Sequence, residues 1–232
     1  GTPVSRVAGR RITDAATLDE AIRAWRGTCS SAWVSALAAQ GESAIGLSGA
    51  DAGLITAARR PPTLVTDDDG ERQKVDFGLV GDVREVRAEV LQAVLSIPAI
   101  PVVSPLALGE DGQILNVNAD TIAAHIAAAV EAAKLILLTR APGILADADD
   151  PSSVLHWADL ARLAELEGSG ALTGGMRPKA AAIRVALRGG VPRVHVVDGR
   201  RGGALLEEVF TTDGSGTLVV PHAEEAPAEP LR

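Results

Sequence analysis

The run Asn116-Val117-Asn118-Ala119-Asp120 sets two carboxamides and a carboxylate at the entrance to an apolar segment. Behind it Ile122, Ile126 and Val130 recur four residues apart, which predicts a helix over Thr121–Ala133. Carboxamides so placed can donate hydrogen bonds to a ligand without adding charge. The same residues at a helix start also serve as caps for orphan N–H groups, and the pattern alone leaves both roles open. A second cluster, Thr173-Gly174-Gly175-Met176-Arg177-Pro178-Lys179, opens a helix predicted over Pro178–Arg188. Its glycines allow close backbone approach, and N–H groups at the positive end of a helix dipole suit a polyphosphate. Lys179 is poorly placed for helix stability, because that end prefers anions, so ligand binding is the better explanation for a cation there. Other phosphate signatures are missing: there is no G-x-x-x-x-G-K-[ST], and Gly168-Ser169-Gly170 follows a helical pattern instead of a strand.

Short apolar runs alternating with amphipathic segments must position these clusters, which is the mark of an α/β domain. Strands are predicted at Ser43–Leu47, Ile100–Val103, Leu135–Thr139, Arg193–Val197 and Thr217–Val220. Helices are predicted at Leu18–Arg26, Ala32–Gln40, Val83–Leu95, Thr121–Ala133, Trp157–Glu167 and Pro178–Arg188. The strands lack polar alternation, so the expected architecture is a mostly parallel central sheet sandwiched by helices in three layers. A small β-hairpin appendage is expected where Leu54–Ala58 and Lys74–Leu79 flank the turn-rich Thr66-Asp67-Asp68-Asp69-Gly70. One domain is expected over 1–220, and the Pro- and Glu-rich end, 221–232, reads as a disordered tail.

Composition narrows the function classes. At 232 residues with 47% hydrophobic content the chain can bury a sizeable core. Aromatic residues make up only 2%, so a nucleobase would be held by aliphatic walls and backbone, not by stacking. The net charge of −8 argues against a nucleic-acid surface, which needs clustered Lys and Arg. A lone Cys29 excludes an internal disulfide, and four scattered His give no Cys/His metal spacing. No apolar run is long enough to span a bilayer as a helix, and a cytoplasmic protein without a membrane partner is the expectation.

In fixed order along the chain, Gly9–Asp14, Gly46–Leu54, Val75–Gly81, Asn116–Asp120, Gly174–Lys179 and Asp198–Arg200 closely resemble six motifs of the acetylglutamate kinases of the amino acid kinase family. Gly9-Arg10-Arg11-Ile12-Thr13-Asp14 matches the family's G-x-R-x-T-D, and Gly46 to Leu54 matches G-L-S-G-x-D-x-G-L. Val75 to Gly81 matches V-D-x-G-x-V-G, and Asn116 to Asp120 matches N-x-N-A-D. Gly174 to Lys179 matches G-G-M-x-x-K, and Asp198-Gly199-Arg200 matches the D-G-R that ends a strand. The strand leading to Thr139-Arg140-Ala141-Pro142-Gly143-Ile144-Leu145 resembles one ending T/S-D-x-x-G-[VIL]-L, with Arg140 where the family has an acid.

The resemblance implies an ATP-dependent kinase acting on the side-chain carboxylate of N-acetyl-L-glutamate in arginine biosynthesis. It implies that Lys179 and Asp120 are catalytic, Asp120 organising the lysine, and that Arg11, Asn116 and Asn118 bind substrate. Arg11 offers a planar fork for the α-carboxylate, whereas Arg10 falls at a variable position of the motif. ATP would be held by Thr139, Gly143, Ile144, Leu145, Thr173, Gly174, Gly175 and Met176, with Mg2+ carried on the phosphates and no protein metal ligand. The substrate side would fall at about 1–105 and the nucleotide side at about 106–220, in a homo-oligomer. The family's opening lysine-and-glycine strand and its H-G-G-G have no counterpart here, so a truncated chain lacking part of the phosphate clamp is expected. Two alternatives stay open: a kinase for carrier-bound aminoadipate or glutamate, and a non-catalytic homologue.

Overall fold

A computed structural model describes residues 6–7, 10–66, 72–211 and 214–225. Of the tail expected at 221–232, residues 221–225 are described and carry a 3-10 turn at Ala223–Glu225, whereas 226–232 and the turn at 67–70 lie outside the described residues. The chain divides into two units, Gly1–Ile122 and Ala123–Arg232. The division falls inside a helix, later than the one expected near residue 105.

The first unit begins with the short pair β1 (Arg6–Val7) and β2 (Arg10–Arg11). Asp14 then caps α1 (Ala15–Ile22) by accepting from the N–H of Thr17 at 2.7 Å. Two helices separated by a loop were expected here. Instead α1 continues through a π-helical turn, Arg23–Cys29, into α2 (Ser30–Ala38), with Ile22, Cys29 and Ser30 at its joints all in the right-handed helical region. Ser30 presses on β3 (Ala44–Ser48), where a Cβ on Gly46 would stand 2.3 Å from the Ser30 hydroxyl.

Next come β4 (Ile55–Arg59), β5 (Thr63–Thr66), β6 (Arg72–Val75), β7 (Gly81–Val86) and α3 (Ala88–Leu95). The unit is completed by β8 (Ile100–Ser104), β9 (Leu106–Gly109), β10 (Ile114–Asn116) and α4 (Ala119–Ala129), which crosses the division. β3 and β8 pair in parallel, while β10, β9, β4 and β7 form a four-stranded sheet. The expected hairpin exists, but its strands are β5 and β6; β4 belongs to the larger sheet, paired with β7 and β9. The single helix expected over Val83–Leu95 is also corrected. Its first residues extend as β7, whose pairing with β4 outweighs helical periodicity, and the helix starts only after Arg87.

The second unit contains β11 (Leu135–Thr139), β12 (Trp157–Asp159), α5 (Leu160–Ser169) and α6 (Met176–Arg188). It continues with β13 (Val194–Asp198), α7 (Ala204–Phe210) and β14 (Thr217–Val220). Its sheet runs β11-β13-β14-β12, with β11 parallel to β13 and β12 parallel to β14. Val194 and Val196 point into a core with Leu163 and Leu166 of α5 and Ile183 and Ala186 of α6. The intervening His195 faces Glu208 of α7, so helices cover both faces of this sheet, as the α/β three-layer expectation required. The helix expected from Trp157 starts later, since Trp157–Asp159 joins the sheet and Asp159 caps α5 through the N–H of Arg162 at 2.7 Å. Among the described residues no helix is long and apolar enough to cross a membrane.

Candidate active site

In the first unit three distant motifs converge on Thr13, which is fully buried. Its N–H donates to the Phe77 carbonyl at 2.9 Å, and its own carbonyl accepts from the Leu79 N–H at 2.7 Å. Gly78 has φ +73°, and a Cβ there would stand 2.3 Å from the Thr13 carbonyl oxygen, so the turn that seats Thr13 requires glycine. The Asn116 side-chain amide donates to the Thr13 hydroxyl at 3.0 Å, and the Asn116 N–H to the Leu79 carbonyl at 2.9 Å. Asn116 is therefore held at the end of β10 with its carboxamide oriented by Thr13. Arg11 stands two residues before Thr13, its backbone paired with Arg6; the conformation of its side chain lies outside the described part.

Asn118 performs the capping role that its position allowed. Its side-chain oxygen accepts from the Thr121 N–H at 3.0 Å and from the Thr121 hydroxyl at 3.3 Å. Replacing it with Ala should lower stability by about 1 kcal/mol in urea unfolding, the usual loss of an Asx cap, whereas Asn118→Asp should keep the cap and the stability. Asp120 lies half-buried in the first turn of α4.

In the second unit Lys179 is 7% exposed, and its Nζ reaches the Leu138 carbonyl at 3.5 Å, near the carboxyl end of β11. A cation is thereby drawn to the end of a parallel strand, the usual location of ligands in open α/β sheets. The preceding loop is open: Gly174 has φ +47°, and neither Gly174 nor Gly175 has a neighbour within 4 Å of an added Cβ. The Arg177 guanidinium ties the loop down by donating to the Leu172 carbonyl at 3.0 Å. No acid occupies the first turn of α6, which leaves the positive field of its N-terminus uncompensated by its own side chains.

Beside this, β13 ends in Asp198-Gly199-Arg200. The Arg200 side chain and N–H hold the Asp198 carboxyl below its usual range, and Arg201 pairs with Glu207 at 2.6 Å. Arg140, which replaces an expected acid, is exposed and makes no ion pair among the described residues. After β11 the chain turns at Gly143, where a Cβ would stand 2.6 Å from the Thr217 hydroxyl.

The amino acid kinase family model matches residues 2–198. The chain is 49% identical over 227 residues to the acetylglutamate kinase of Myxococcus xanthus, covering 97% of this chain and 74% of that one. The chain is an acetylglutamate kinase-type member of the amino acid kinase family. A second acetylglutamate kinase, from Symbiobacterium thermophilum, is 47% identical over 92% of this chain and 72% of its own length. Among solved structures, N-acetylglutamate synthase from Neisseria gonorrhoeae, complexed with coenzyme A and N-acetyl-glutamate, superposes with a TM-score of 0.77 at 26% identity. That match covers 95% of this chain and 47% of the synthase. Giardia lamblia carbamate kinase, bound to AMP-PNP, shares the fold at a TM-score of 0.57 and 15% identity, over 83% of this chain and 71% of the carbamate kinase.

Within this acetylglutamate kinase-type chain, the structure brings Asn116 to Thr13 in one unit. In the other, Lys179 of α6 reaches the Leu138 carbonyl next to Thr139 at the carboxyl end of β11, and the Thr173–Gly175 loop leads into α6. The Ile144 side chain is fully buried among the apolar residues of the second unit, and its N–H donates to the Thr217 hydroxyl at 2.9 Å, so only its backbone enters the nucleotide reading. Leu145 remains half-buried, bridged to Val154. Sequence reasoning missed Thr13 and Thr217 as supports. Thr13 sat inside a quoted motif, whereas Thr217 carried no local signal.

Proposed function

We propose that this protein transfers the γ-phosphoryl group of ATP to the side-chain carboxylate of N-acetyl-L-glutamate, forming N-acetyl-L-glutamyl 5-phosphate for arginine biosynthesis. The observation that carries this reading is the buried Lys179, held beside an open, doubly glycine loop at a helix start free of first-turn acids. Membership among the acetylglutamate kinases supplies the acceptor.

ATP supplies the phosphoryl group. A carboxylate oxygen forms the new bond to phosphorus while the bond to the bridging oxygen of ADP breaks; the nucleophile has no proton to lose, so positioning and charge neutralisation set the rate. Lys179 and the amides of Gly174 and Gly175 neutralise charge on the phosphates. Thr139, Gly143 and Leu145 line the nucleotide side. Asn116 and Arg11 bind the acceptor, the first by its oriented carboxamide and the second through its α-carboxylate. In this reading Mg2+ is carried on the phosphates, with no protein side chain assigned as its ligand. The working form in this reading is a cytoplasmic homo-oligomer.

The test uses the product of the complete reading frame with MgATP and N-acetyl-L-glutamate, trapping the acyl phosphate with hydroxylamine. A hydroxamate that depends on both substrates is the expected result; turnover of a carrier-bound acidic substrate alone would overturn the reading. In the same assay Arg11→Lys should raise KM for N-acetyl-L-glutamate about tenfold and leave that for ATP nearly unchanged, because lysine keeps the charge but loses the fork. Arg10→Lys should change neither constant. Equal effects at the two positions would remove Arg11 from acceptor binding.

A further inference from the structure

Thr217 sits where three parts of the second unit meet. It opens β14 and is fully buried, with its hydroxyl committed in both directions. The hydroxyl oxygen accepts from the Ile144 N–H at 2.9 Å and donates to the Leu155 carbonyl at 2.6 Å. Around this centre the segment after β11 is laced to 153–156. The Leu155 N–H donates to the Ile144 carbonyl at 2.9 Å, the Ala146 N–H to the Ser153 carbonyl at 2.8 Å, and the Leu218 N–H to the His156 carbonyl at 3.0 Å. Gly143 lies so close to Thr217 that any side chain would strike its hydroxyl.

Thr217 is itself fixed from the other side of the sheet. The buried Glu208 carboxylate accepts from the Ser215 N–H at 2.6 Å and the Gly216 N–H at 2.9 Å, the two residues that lead into β14. His195 on β13 holds the other carboxylate oxygen at 2.6 Å. Hydrogen bonds thus tie His195 to Glu208 and Glu208 to the 215–216 backbone, which leads covalently into Thr217, and the Thr217 hydroxyl bonds the Ile144 N–H.

We propose that Thr217 is a positioning residue for nucleotide binding, its hydroxyl fixing the Gly143–Leu145 backbone in the conformation that receives ATP, with Glu208 holding Thr217 in register. The inference rests on the reading of 143–145 as a nucleotide contact. A buried amide that loses its only acceptor must find another, and here the adjacent backbone is already committed, so the segment has to move.

Two pairs of variants separate the hydroxyl from packing. Thr217→Val keeps the shape and removes the hydroxyl, while Thr217→Ser keeps the hydroxyl and removes a methyl group; Thr217→Ala compared with Thr217→Ser repeats the comparison if the valine variant does not fold. In the product of the complete reading frame, Mg2+ and AMP-PNP should shift the amide resonances of Gly143, Ile144 and Leu145. The Val variant should bind AMP-PNP about tenfold more weakly than wild type, Ser should bind within about twofold, and KM for N-acetyl-L-glutamate should stay within about twofold in both. Resonances that shift with equal AMP-PNP affinity in wild type and Val, or in Ser and Ala, would leave the nucleotide contact standing and overturn the positioning role. Resonances that do not move would overturn the contact itself and the proposal with it.

Discussion

Replacing Lys179 with Met should lower kcat about a hundredfold, a loss of about 3 kcal/mol, while weakening nucleotide binding far less. Methionine fills most of the buried volume of the lysine stem and removes only the charge, so the comparison isolates electrostatics from packing. The expected size is that of one preorganised charged contact realised as negative charge redistributes on the transferring phosphoryl group. Several observations make the effect large. The side chain is 7% exposed, its Nζ is already directed to the Leu138 carbonyl, and the α6 N-terminus around it carries no acid in its first turn. Little reorganisation is then needed at the moment of transfer. Lys179→Arg should recover part of kcat, since charge is kept but the guanidinium is larger than the buried site allows. Stopped-flow or coupled turnover assays, with AMP-PNP titrations alongside, separate the two constants. Unchanged kcat in the Met variant would take Lys179 out of phosphoryl transfer.

The parts of this fold that were legible in the sequence are those where a single local force dominates. Leu135–Thr139 and Thr217–Val220 are strands at their predicted bounds, because uninterrupted apolar runs between turn-forming residues have no better option than a covered strand. The helix after Asn118 was visible from its cap and its apolar spacing, and it ends before the expected residue, with Glu131 in the left-handed region at φ +52°. What could not be read were decisions made by partners far along the chain. Val83–Val86 looks helical until β4 offers it a ladder, and Trp157–Asp159 until β14 does. The candidate site divides in the same way. Lys179 and the glycine loop declare themselves by conflict with local preference, a cation and two glycines where a helix would choose otherwise. Asn118 is ambiguous from sequence, since capping and ligand binding ask for the same side chain. Thr217 is silent, because its role depends on an amide 73 residues away.

The Glu208 carboxylate should make stability depend on acid pH in a window set by its own titration. Burial pushes this carboxyl up, but the hydrogen bond from His195, those from the Ser215 and Gly216 amides, and the attraction of the His195 charge together outweigh it, and the pKa falls from 4.5 to about 2. A group whose folded-state pKa lies below its unfolded value stabilises the fold above the unfolded value, and that contribution disappears as pH falls toward the folded one. The contribution is therefore complete above about pH 5 and is lost progressively between pH 4.5 and about 2. Glu208→Gln preserves volume and removes the titration. Urea unfolding of wild type and the Gln variant between pH 6 and pH 3 should show a gap that is constant at the upper end and narrows steadily below about pH 4.5. Asp14, Asp150 and Asp198 also have lowered pKa values, but they are common to both proteins and cancel in the difference. The Nε2 atom of His195 is buried without a hydrogen-bond partner among the described residues, while Nδ1 lies 2.6 Å from the Glu208 carboxylate. His195→Gln should accordingly shift the midpoint of the narrowing upward, since the carboxylate keeps its two backbone donors and loses the ring. Parallel stability curves for wild type and Glu208→Gln down to pH 3 would show that the carboxylate is not the group through which acid reaches this sheet.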